Sequence, residues 1–378
     1  MKLFNYQSLK DLIQGEIREH LDSKFRREQG MYPDLEPYIN YSKISKDFYN
    51  NFNIEELSNL YMKQINDIAD SCKNLSTKRK VLYLLELMRL SVMYENIGEK
   101  GAVLSQAGIN AAITGKGVCT SQAKYFRNLL LGCNIESQTL RLHISYEVPE
   151  HETVITRISP NEITILDPTY YNGNPSSIPQ FVNEEKYAYS NLSEFNISAL
   201  NVTEEELENV RKMAREFILR YYGINKILEV IDFDKSSEID LFSHIIIILQ
   251  NNLVISRIDE KYRSVVFGNR EFEIDKALEL LLYYYKIPFK IIYNGLKHEC
   301  YYNITISSKD YIVSPQNIFK RNSNLINRKW LVRLEGENFK INEDCQKIYC
   351  RLDEMNSIAN NKDKPDQSDS SIGLVSKK

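Results

Sequence analysis

Cys119 follows a turn marked by two glycines, in the segment Gly115-Lys-Gly-Val-Cys119, and it stands at the first turn of a predicted helix. Apolar residues follow it at the spacing of one helical face: Ala123, Phe126, Leu129 and Leu130. A thiol at the N-terminal end of a helix lies at the positive end of the helix dipole, which favours the thiolate. Two interpretations of Cys119 are therefore open, a nucleophile and a small buried cysteine at a helix start.

A histidine and an aspartate stand downstream at the ends of two predicted strands. His151 opens a strand, and Asp167 directly follows the next strand, across a turn at Ser159-Pro-Asn-Glu162. A hairpin of this kind places both residues near the same end of two paired strands. A cysteine nucleophile needs a base that accepts its proton, and the base needs a partner that fixes its tautomer. Cys119, His151 and Asp167 are the candidates for these three roles.

These pieces resemble the transglutaminase-like branch of the papain-type cysteine proteases. The matching features are the glycine-marked turn before Cys119, Ala123 four residues later, His151 before a strand and Asp167-Pro-Thr after the next strand. The resemblance covers residues 76–175. It implies that Cys119 is the nucleophile, His151 the general base and acid, and Asp167 the orienting carboxylate. It also implies that the backbone amide of Cys119 is one oxyanion donor.

Two details depart from that family. The aromatic residue that often follows the histidine, and a tryptophan in the next strand, are replaced here by Glu152-Thr-Val and Ser159-Pro-Asn-Glu. These departures leave the three candidate residues in place and concern the substrate groove. The second oxyanion donor has two candidates, Gln106 and Gln122, and His143 at the end of its strand is a rival base.

Length and composition predict a protein of two domains. The chain has 378 residues, of which 43% are hydrophobic and 26% are charged, and its formal net charge is −3. The lack of a basic excess argues against a nucleic-acid partner. The N-terminus shows no apolar run of signal-peptide length, and the densest apolar run, Ile245–Leu249, is too short to span a bilayer. We therefore expect a cytoplasmic protein without membrane association.

The six cysteines predict neither a disulfide scaffold nor a metal centre. They are spread over the whole chain, which is typical of a reduced, intracellular protein. A structural zinc site needs four tetrahedral ligands, and the spacings of His298, Cys300, Cys345 and Cys350 match no compact zinc finger. We expect neither a metal nor another cofactor.

The order of predicted elements indicates an α+β fold. Residues 1–75 are predicted to form a helical N-terminal region. Residues 76–200 are predicted to form a transglutaminase-like catalytic domain with a papain-like core, in which the cysteine helix packs on an antiparallel sheet. Residues 201–355 are predicted to form a smaller C-terminal α/β domain. Residues 356–378 are polar, and we expect a disordered tail.

The predicted C-terminal domain repeats the helix–strand–hairpin pattern of the catalytic domain. Helix Ile274–Ile287 and strand Phe289–Ile292 are followed by His298, and Ser314-Pro315 stands where the first pattern has Asp167-Pro168. In both patterns 16 positions separate the histidine from the residue before the proline. No cysteine stands at the start of the second helix. Two interpretations are open, a decayed non-catalytic duplicate kept for substrate or partner binding and a coincidence of a common motif.

The site residues and the resemblance favour thiol-dependent chemistry on the amide of a peptide or protein substrate. Attack by Cys119 gives a thioester, and His151 protonates the leaving amine. Resolution by water makes the protein a cysteine hydrolase or peptidase, and resolution by an amine makes it an acyltransferase of the transglutaminase type. A non-catalytic protein-binding module is the third alternative, and in that case Cys119 is an ordinary thiol.

Overall fold

The computed structural model describes residues 8–28, 54–94, 107–142, 151–169, 171, 200–230, 237–255, 263–268, 270–294, 299–320, 323–335 and 338–362. Within these ranges the chain is a mixture of helices and mainly antiparallel sheets. None of the helices in this part of the chain is long and apolar enough to cross a membrane.

The chain divides into two compact units. Unit 1 comprises Met1–Val230 and Ser264–Lys276, and unit 2 comprises Ile231–Arg263 and Ala277–Lys378. Unit 1 therefore takes in the predicted N-terminal region, the predicted catalytic domain and the beginning of the predicted C-terminal domain. The predicted boundaries differ from this division because the chain leaves unit 1 and later returns to it for a short segment, which a reading in chain order does not detect.

The helices of the described residues are numbered in chain order. They are α1 Leu9–Glu28, α2 Ile54–Ser71, α3 Thr77–Ser91, α4 Gly108–Thr114, α5 Cys119–Gly132, α6 Glu204–Tyr221, α7 Ile224–Glu229, α8 Glu238–Asn251, α9 Ile274–Tyr284 and α10 Glu343–Lys362. Helix α3 is buried from Val81 to Ser91, and α6 packs along it. This packing is why α6, placed in the C-terminal domain by the sequence, belongs to unit 1.

The strands of the described residues form small sheets. They are β1 Met93–Tyr94, β2 Lys116–Gly117, β3 Ser137–Leu142, β4 His151–Ser159, β5 Glu162–Leu166, β6 Leu253–Ile255, β7 Arg263–Phe267, β8 Arg270–Glu273, β9 Phe289–Asn294, β10 Glu299–Ile306, β11 Lys309–Val313, β12 Leu331–Glu335 and β13 Asn338–Lys340. In unit 1, β1 and β2 form a parallel pair, and β3, β4 and β5 form an antiparallel sheet. In unit 2, β9 to β13 form an antiparallel sheet of strands that are neighbours in chain order.

In unit 2, helices α8 and α10 pack against each other and against the β9–β13 sheet. Helix α8 begins at Glu238 with a cap from Ser237, whose hydroxyl accepts the N–H of Asp240 at 3.1 Å. Helix α10 extends to Lys362, so the predicted disordered tail 356–378 begins inside a helix. The remaining residues of that tail lie outside the described part of the chain.

Helix α5, which begins with Cys119, is the centre of unit 1. It is buried along most of its length and contacts α2, α3, α4, β3 and β4. Two polar residues on α5, Arg127 and Asn128, donate hydrogen bonds to the buried carboxylate of Glu16 on α1. Asn128 also donates to the hydroxyl of Tyr61 on α2, at 3.1 Å. Because these polar groups satisfy one another, α5 is fixed in both position and rotation.

Residues 264–276 return to unit 1 and brace the turn before Cys119. Arg270 of β8 is 2% exposed, and its guanidinium donates to the carbonyl oxygens of Ser91 and Ile113 at 2.6 Å and 2.9 Å. Gly115 lies against that guanidinium with φ of 73°, and a Cβ there would collide with it. The glycine is therefore required both by the left-handed backbone and by the packing of Arg270.

Two helix–sheet regions of the molecule have the same chain path. Helix α5 is followed by β3, β4 and β5, and helix α9 is followed by β9, β10 and β11, each set antiparallel and in chain order. The second residue after each helix, Asn134 or Lys286, is in the left-handed conformation, with φ of 59° in both. The backbone N–H of the residue that follows it donates to the carbonyl oxygen five positions earlier in the chain, at 2.9 Å in the first region and 3.0 Å in the second. The two regions therefore share their strand order and the conformation that follows the helix.

The two hairpins differ by one residue. A bulge lies in β4 between Arg157 and Ser159, whereas β10 and β11 pair without interruption and turn at Ser307-Ser308, with φ of 51° and 60°. Because the bulge adds a residue to the first hairpin only, equal spacing along the sequence does not give equal positions in the two hairpins.

The strand register identifies which residues are equivalent. Val154 pairs with the last residue of β5 and lies three residues after His151. Tyr302 pairs with the last residue of β11 and lies three residues after Glu299, so Glu299 is the equivalent of His151. The predicted match of His298 to His151 is therefore wrong by one residue, and His298 itself lies outside the described residues. Ser314 does occupy the position of Asp167, since each directly follows the last strand of its hairpin.

Candidate active site

The backbone places Cys119 at the first residue of helix α5. Strand β2 ends at Gly117, and Val118 is extended, with ψ of 175°, immediately before the helix begins. A Cβ at Gly117 would collide with Oγ of Ser121, so only glycine allows the turn to approach the helix this closely. Cys119 is a partly exposed residue. It thus combines a helix N-terminus with incomplete burial.

The β4–β5 hairpin brings His151 and Asp167 together. Nε2 of His151 lies 2.5 Å from Oδ2 of Asp167, and Oδ1 of the same carboxylate accepts the N–H of Thr169 at 3.0 Å. The side chains of His151 and Asp167 are 6% and 15% exposed. Thr153 of β4 donates to the carbonyl oxygen of Leu166, which holds the two strand ends together beside the pair.

The thiol of Cys119 completes the cluster. Hydrogen bonding with the ring of His151 and with the backbone of Glu152, the next residue of β4, lowers the pKa of this thiol. Because Nε2 of His151 faces Asp167, Nδ1 is the ring nitrogen left for the thiol. The imidazole therefore lies between a thiol and a carboxylate, and helix α5, which packs on β3 and β4, sets the distance between them.

The pKa values of Cys119 and His151 shift in opposite directions. Burial acts to raise the pKa of Cys119, but hydrogen bonds from His151 and the Glu152 backbone outweigh it, and the pKa is lowered. Burial acts to lower the pKa of His151, but the hydrogen bonds with Asp167 and Cys119 outweigh it and raise this pKa to about 10. Both shifts favour a thiolate beside an imidazolium over a neutral pair.

Gln122 is not available as an oxyanion donor. Its side-chain amide nitrogen donates to the carbonyl oxygens of Gly117 and Met93, at 2.9 Å and 3.4 Å. Since an amide group carries two N–H bonds, both are occupied in holding the turn before Cys119. The other candidate donor, Gln106, and the rival base, His143, lie outside the described residues.

A buried polar cluster next to the hairpin was not predicted from the sequence. Tyr171, just after Asp167-Pro-Thr, donates to Oε1 of Glu86 on α3 at 2.6 Å, and Arg89 donates to Oε2 of the same carboxylate at 2.8 Å. Glu86 is fully buried. The signal in the sequence was a glutamate within the apolar run of α3, where a charged side chain needs a buried partner. The cluster ties the segment after Asp167 to the core of unit 1.

Metal ligands do not cluster within the described ranges, where no group of three or more His, Cys, Asp or Glu residues could hold an ion. Comparison with known proteins gave no matching family model, no matching curated protein and no matching solved structure. The function proposed below therefore rests on the geometry of Cys119, His151 and Asp167.

Proposed function

We propose that the protein is a transglutaminase-like cysteine hydrolase or peptidase that acts on the amide of a peptide or protein. The observation that carries the proposal is the contact of His151 with Asp167, at 2.5 Å, beside a Cys119 thiol whose pKa the same histidine lowers. A cysteine nucleophile needs this order of thiol, imidazole and carboxylate. The packing of α5 on the β3–β4–β5 sheet supports a papain-like core.

The first half of the proposed reaction forms a thioester. The Cys119 thiolate attacks the carbonyl carbon of the substrate amide, and the carbonyl oxygen becomes an oxyanion. The N–H of Cys119 stabilises this charge, because the first N–H groups of a helix have no acceptor within the helix. His151 then donates its Nδ1 proton to the leaving nitrogen, and the carbon–nitrogen bond breaks.

The second half of the reaction restores the thiolate. His151, now neutral, accepts a proton from a water molecule that attacks the thioester carbonyl. Collapse of the second tetrahedral intermediate expels the Cys119 thiolate and leaves a carboxylic acid as the product. Asp167 keeps the ring in one orientation and stabilises its positive charge in the resting state.

The burial of the His151–Asp167 pair supports a chemical role over a purely structural one. Removing two ionisable groups from water is unfavourable, and a group whose pKa is strongly shifted, as that of His151 is, is typical of a functional site. The thiol beside them is partly exposed, whereas Cys72 and Cys133 of the same unit are buried. Cys119 therefore has the environment of a reactive cysteine and not that of a packing residue.

The proposal is tested with the full-length protein and a peptide library derived from a whole proteome, with and without a fluorescent primary amine. We expect new peptide ends or glutamine-to-glutamate conversions by mass spectrometry. These products should disappear in Cys119→Ala and persist in Cys350→Ala, which removes an exposed thiol of unit 2. Products dominated by amine incorporation would identify an acyltransferase instead. Equal product from wild type and Cys119→Ala would overturn the proposal.

A further inference from the structure

Two cysteines that take no part in the cluster around Cys119 face each other in unit 1. Sγ of Cys72 lies 3.6 Å from Sγ of Cys133, and both thiols are free and buried. Cys72 directly follows helix α2, and Cys133 is the C-cap residue of helix α5. The two thiols are therefore neighbours in space although 61 positions separate them in the chain.

The packing of the two helices holds this approach. Gly132, next to Cys133, lies against Ile65 of α2, and a Cβ at that position would collide with the Ile65 side chain. Glycine therefore lets α2 and α5 come close where the sulfurs meet. Disulfide formation requires the sulfurs to approach from 3.6 Å to about 2.05 Å. Both cysteines stand at helix ends, where the backbone adjusts more readily than inside a helix.

We propose that Cys72 and Cys133 form a disulfide site that a hydroperoxide oxidises and a thiol reductant restores. The contact between the two sulfurs and the position of both residues at helix ends carry this assignment. It is independent of the reaction proposed for Cys119.

The exposure of the two residues assigns the order of reaction. Cys133 is the more exposed of the two, at 7% against 1%. Either sulfur can be the donor in the hydrogen bond that joins them, so the thiol nearer to the solvent is the one that meets the oxidant. Cys133 therefore reacts first with the oxidant, and Cys72 resolves the product.

The two steps balance in atoms and electrons. The Cys133 thiolate attacks one oxygen of hydrogen peroxide, the oxygen–oxygen bond breaks, and Cys133 becomes a sulfenic acid as hydroxide leaves. Cys72 gives its proton to hydroxide, and its sulfur attacks the sulfenic sulfur, so that a sulfur–sulfur bond forms and a second hydroxide leaves. This second hydroxide takes up the proton that Cys133 released on forming its thiolate. In total, two thiols lose two electrons and the peroxide is reduced to two molecules of water.

The disulfide would join the end of α2 to the end of α5, the helix that begins with Cys119. Closing so long a loop restricts the unfolded chain, so the oxidised protein should melt at a higher temperature than the reduced one. This consequence separates the disulfide from oxidation of Cys119, which closes no loop.

The experiment treats the full-length protein with hydrogen peroxide, blocks the remaining thiols after denaturation, and maps peptides by mass spectrometry without reduction. We expect a peptide that links Cys72 to Cys133, a higher melting temperature, and reversal of both by dithiothreitol. The linked peptide should be missing in Cys72→Ser and in Cys133→Ser. It should persist in Cys345→Ser, a matched loss of a buried thiol in unit 2.

Two results would overturn the assignment. The first is recovery of both Cys72 and Cys133 as alkylated thiols after peroxide treatment of the wild type, whatever happens to Cys119. The second is a Cys133 disulfide with any cysteine other than Cys72. Neither result bears on the proposed hydrolase activity, since that activity is read from Cys119 and its products.

Discussion

Helix α5 of unit 1 leads into the β3–β4–β5 sheet. A second region, α9–β9–β10–β11, has the same order of helix and antiparallel strands. The two regions share strand order, the antiparallel pairing of the first strand with the second, and a left-handed residue just after the helix. They differ in the side chains at the strand ends, where His151 and Asp167 correspond to Glu299 and Ser314. They also differ at the helix start, since α9 begins at Ile274 and carries no cysteine.

This difference shows that the chain path alone does not make the cluster. The first region adds a cysteine at a helix N-terminus, a bulge in β4 and a buried hydrogen bond from Tyr171 to Glu86. In the second region Ser314 is engaged within its own short turn, where its hydroxyl accepts the side-chain N–H of Asn317 at 2.7 Å. Two regions with the same order of elements thus carry different residues at their strand ends, and the residues of each region can be substituted separately.

The largest effect is expected from replacing the proposed base. His151→Ala removes the group proposed to accept and donate the proton, and we expect product formation to fall by about 10²–10⁴-fold in the peptide-library assay. Glu299→Ala changes the register-equivalent residue of the second region and should leave the rate unchanged. A comparable loss in both variants would show that the two regions do not differ in function as proposed.

The next largest effect concerns the stability of unit 1. Glu86→Ala leaves Arg89 and Tyr171 without their buried partner and should lower the free energy of unfolding by about 3–5 kcal/mol in urea titrations. Asn317→Ala removes the exposed hydrogen bond in the turn of the second region, and we expect a change of about 1 kcal/mol or less. If both variants lose the same free energy of unfolding, the buried hydrogen bonds of Glu86 are not a stabilising feature specific to the first region.

A smaller effect is expected from the carboxylate. Asp167→Asn removes a group that raises the pKa of His151, so this pKa should fall below its value of about 10. The activity should drop by about tenfold or more, and the alkaline limb of its pH profile should move to lower pH. Ser314→Ala serves as the matched control without either change. If the alkaline limb of Asp167→Asn stays at the wild-type pH, Asp167 does not control the pKa of His151.

The smallest effect tests what the two regions share. Lys286 and Asn134 hold the same left-handed conformation, which glycine adopts without strain and asparagine tolerates better than lysine. Lys286→Gly should therefore raise the free energy of unfolding by about 1 kcal/mol or less, and Asn134→Gly by a smaller amount. If Lys286→Gly lowers the free energy of unfolding, the residue after α9 is not equivalent to Asn134 after α5.

Local features of the candidate site were predictable from the sequence. The start of α5 at Cys119 follows from the glycines of the preceding turn and the apolar spacing after it. The β4–β5 hairpin follows from the strand pattern on either side of Pro160-Asn161. These patterns extend over only a few residues and determine the local backbone conformation, so they can be recognised without knowledge of the tertiary structure.

Features that depend on packing between distant segments were not predictable in this way. The return of residues 264–276 to unit 1, with Arg270 against Gly115, depends on three-dimensional proximity. The same holds for the contact of Cys72 with Cys133. The error at His298 has a different cause, because the bulge in β4 changes the count of residues without changing the hydrophobic pattern.

The most direct test of the proposed cluster is the pH dependence of Cys119 alkylation by iodoacetamide, followed on the Cys119 peptide by mass spectrometry. The wild-type rate should reach its plateau at a lower pH than the rate of the chain unfolded in urea, because the hydrogen bond with His151 lowers the pKa of Cys119. His151→Ala should react slowly at neutral pH and faster as the pH rises through about 8.5, as should the chain unfolded in urea. A wild-type profile that coincides with that of the unfolded chain would contradict a thiolate–imidazolium pair at Cys119 and His151.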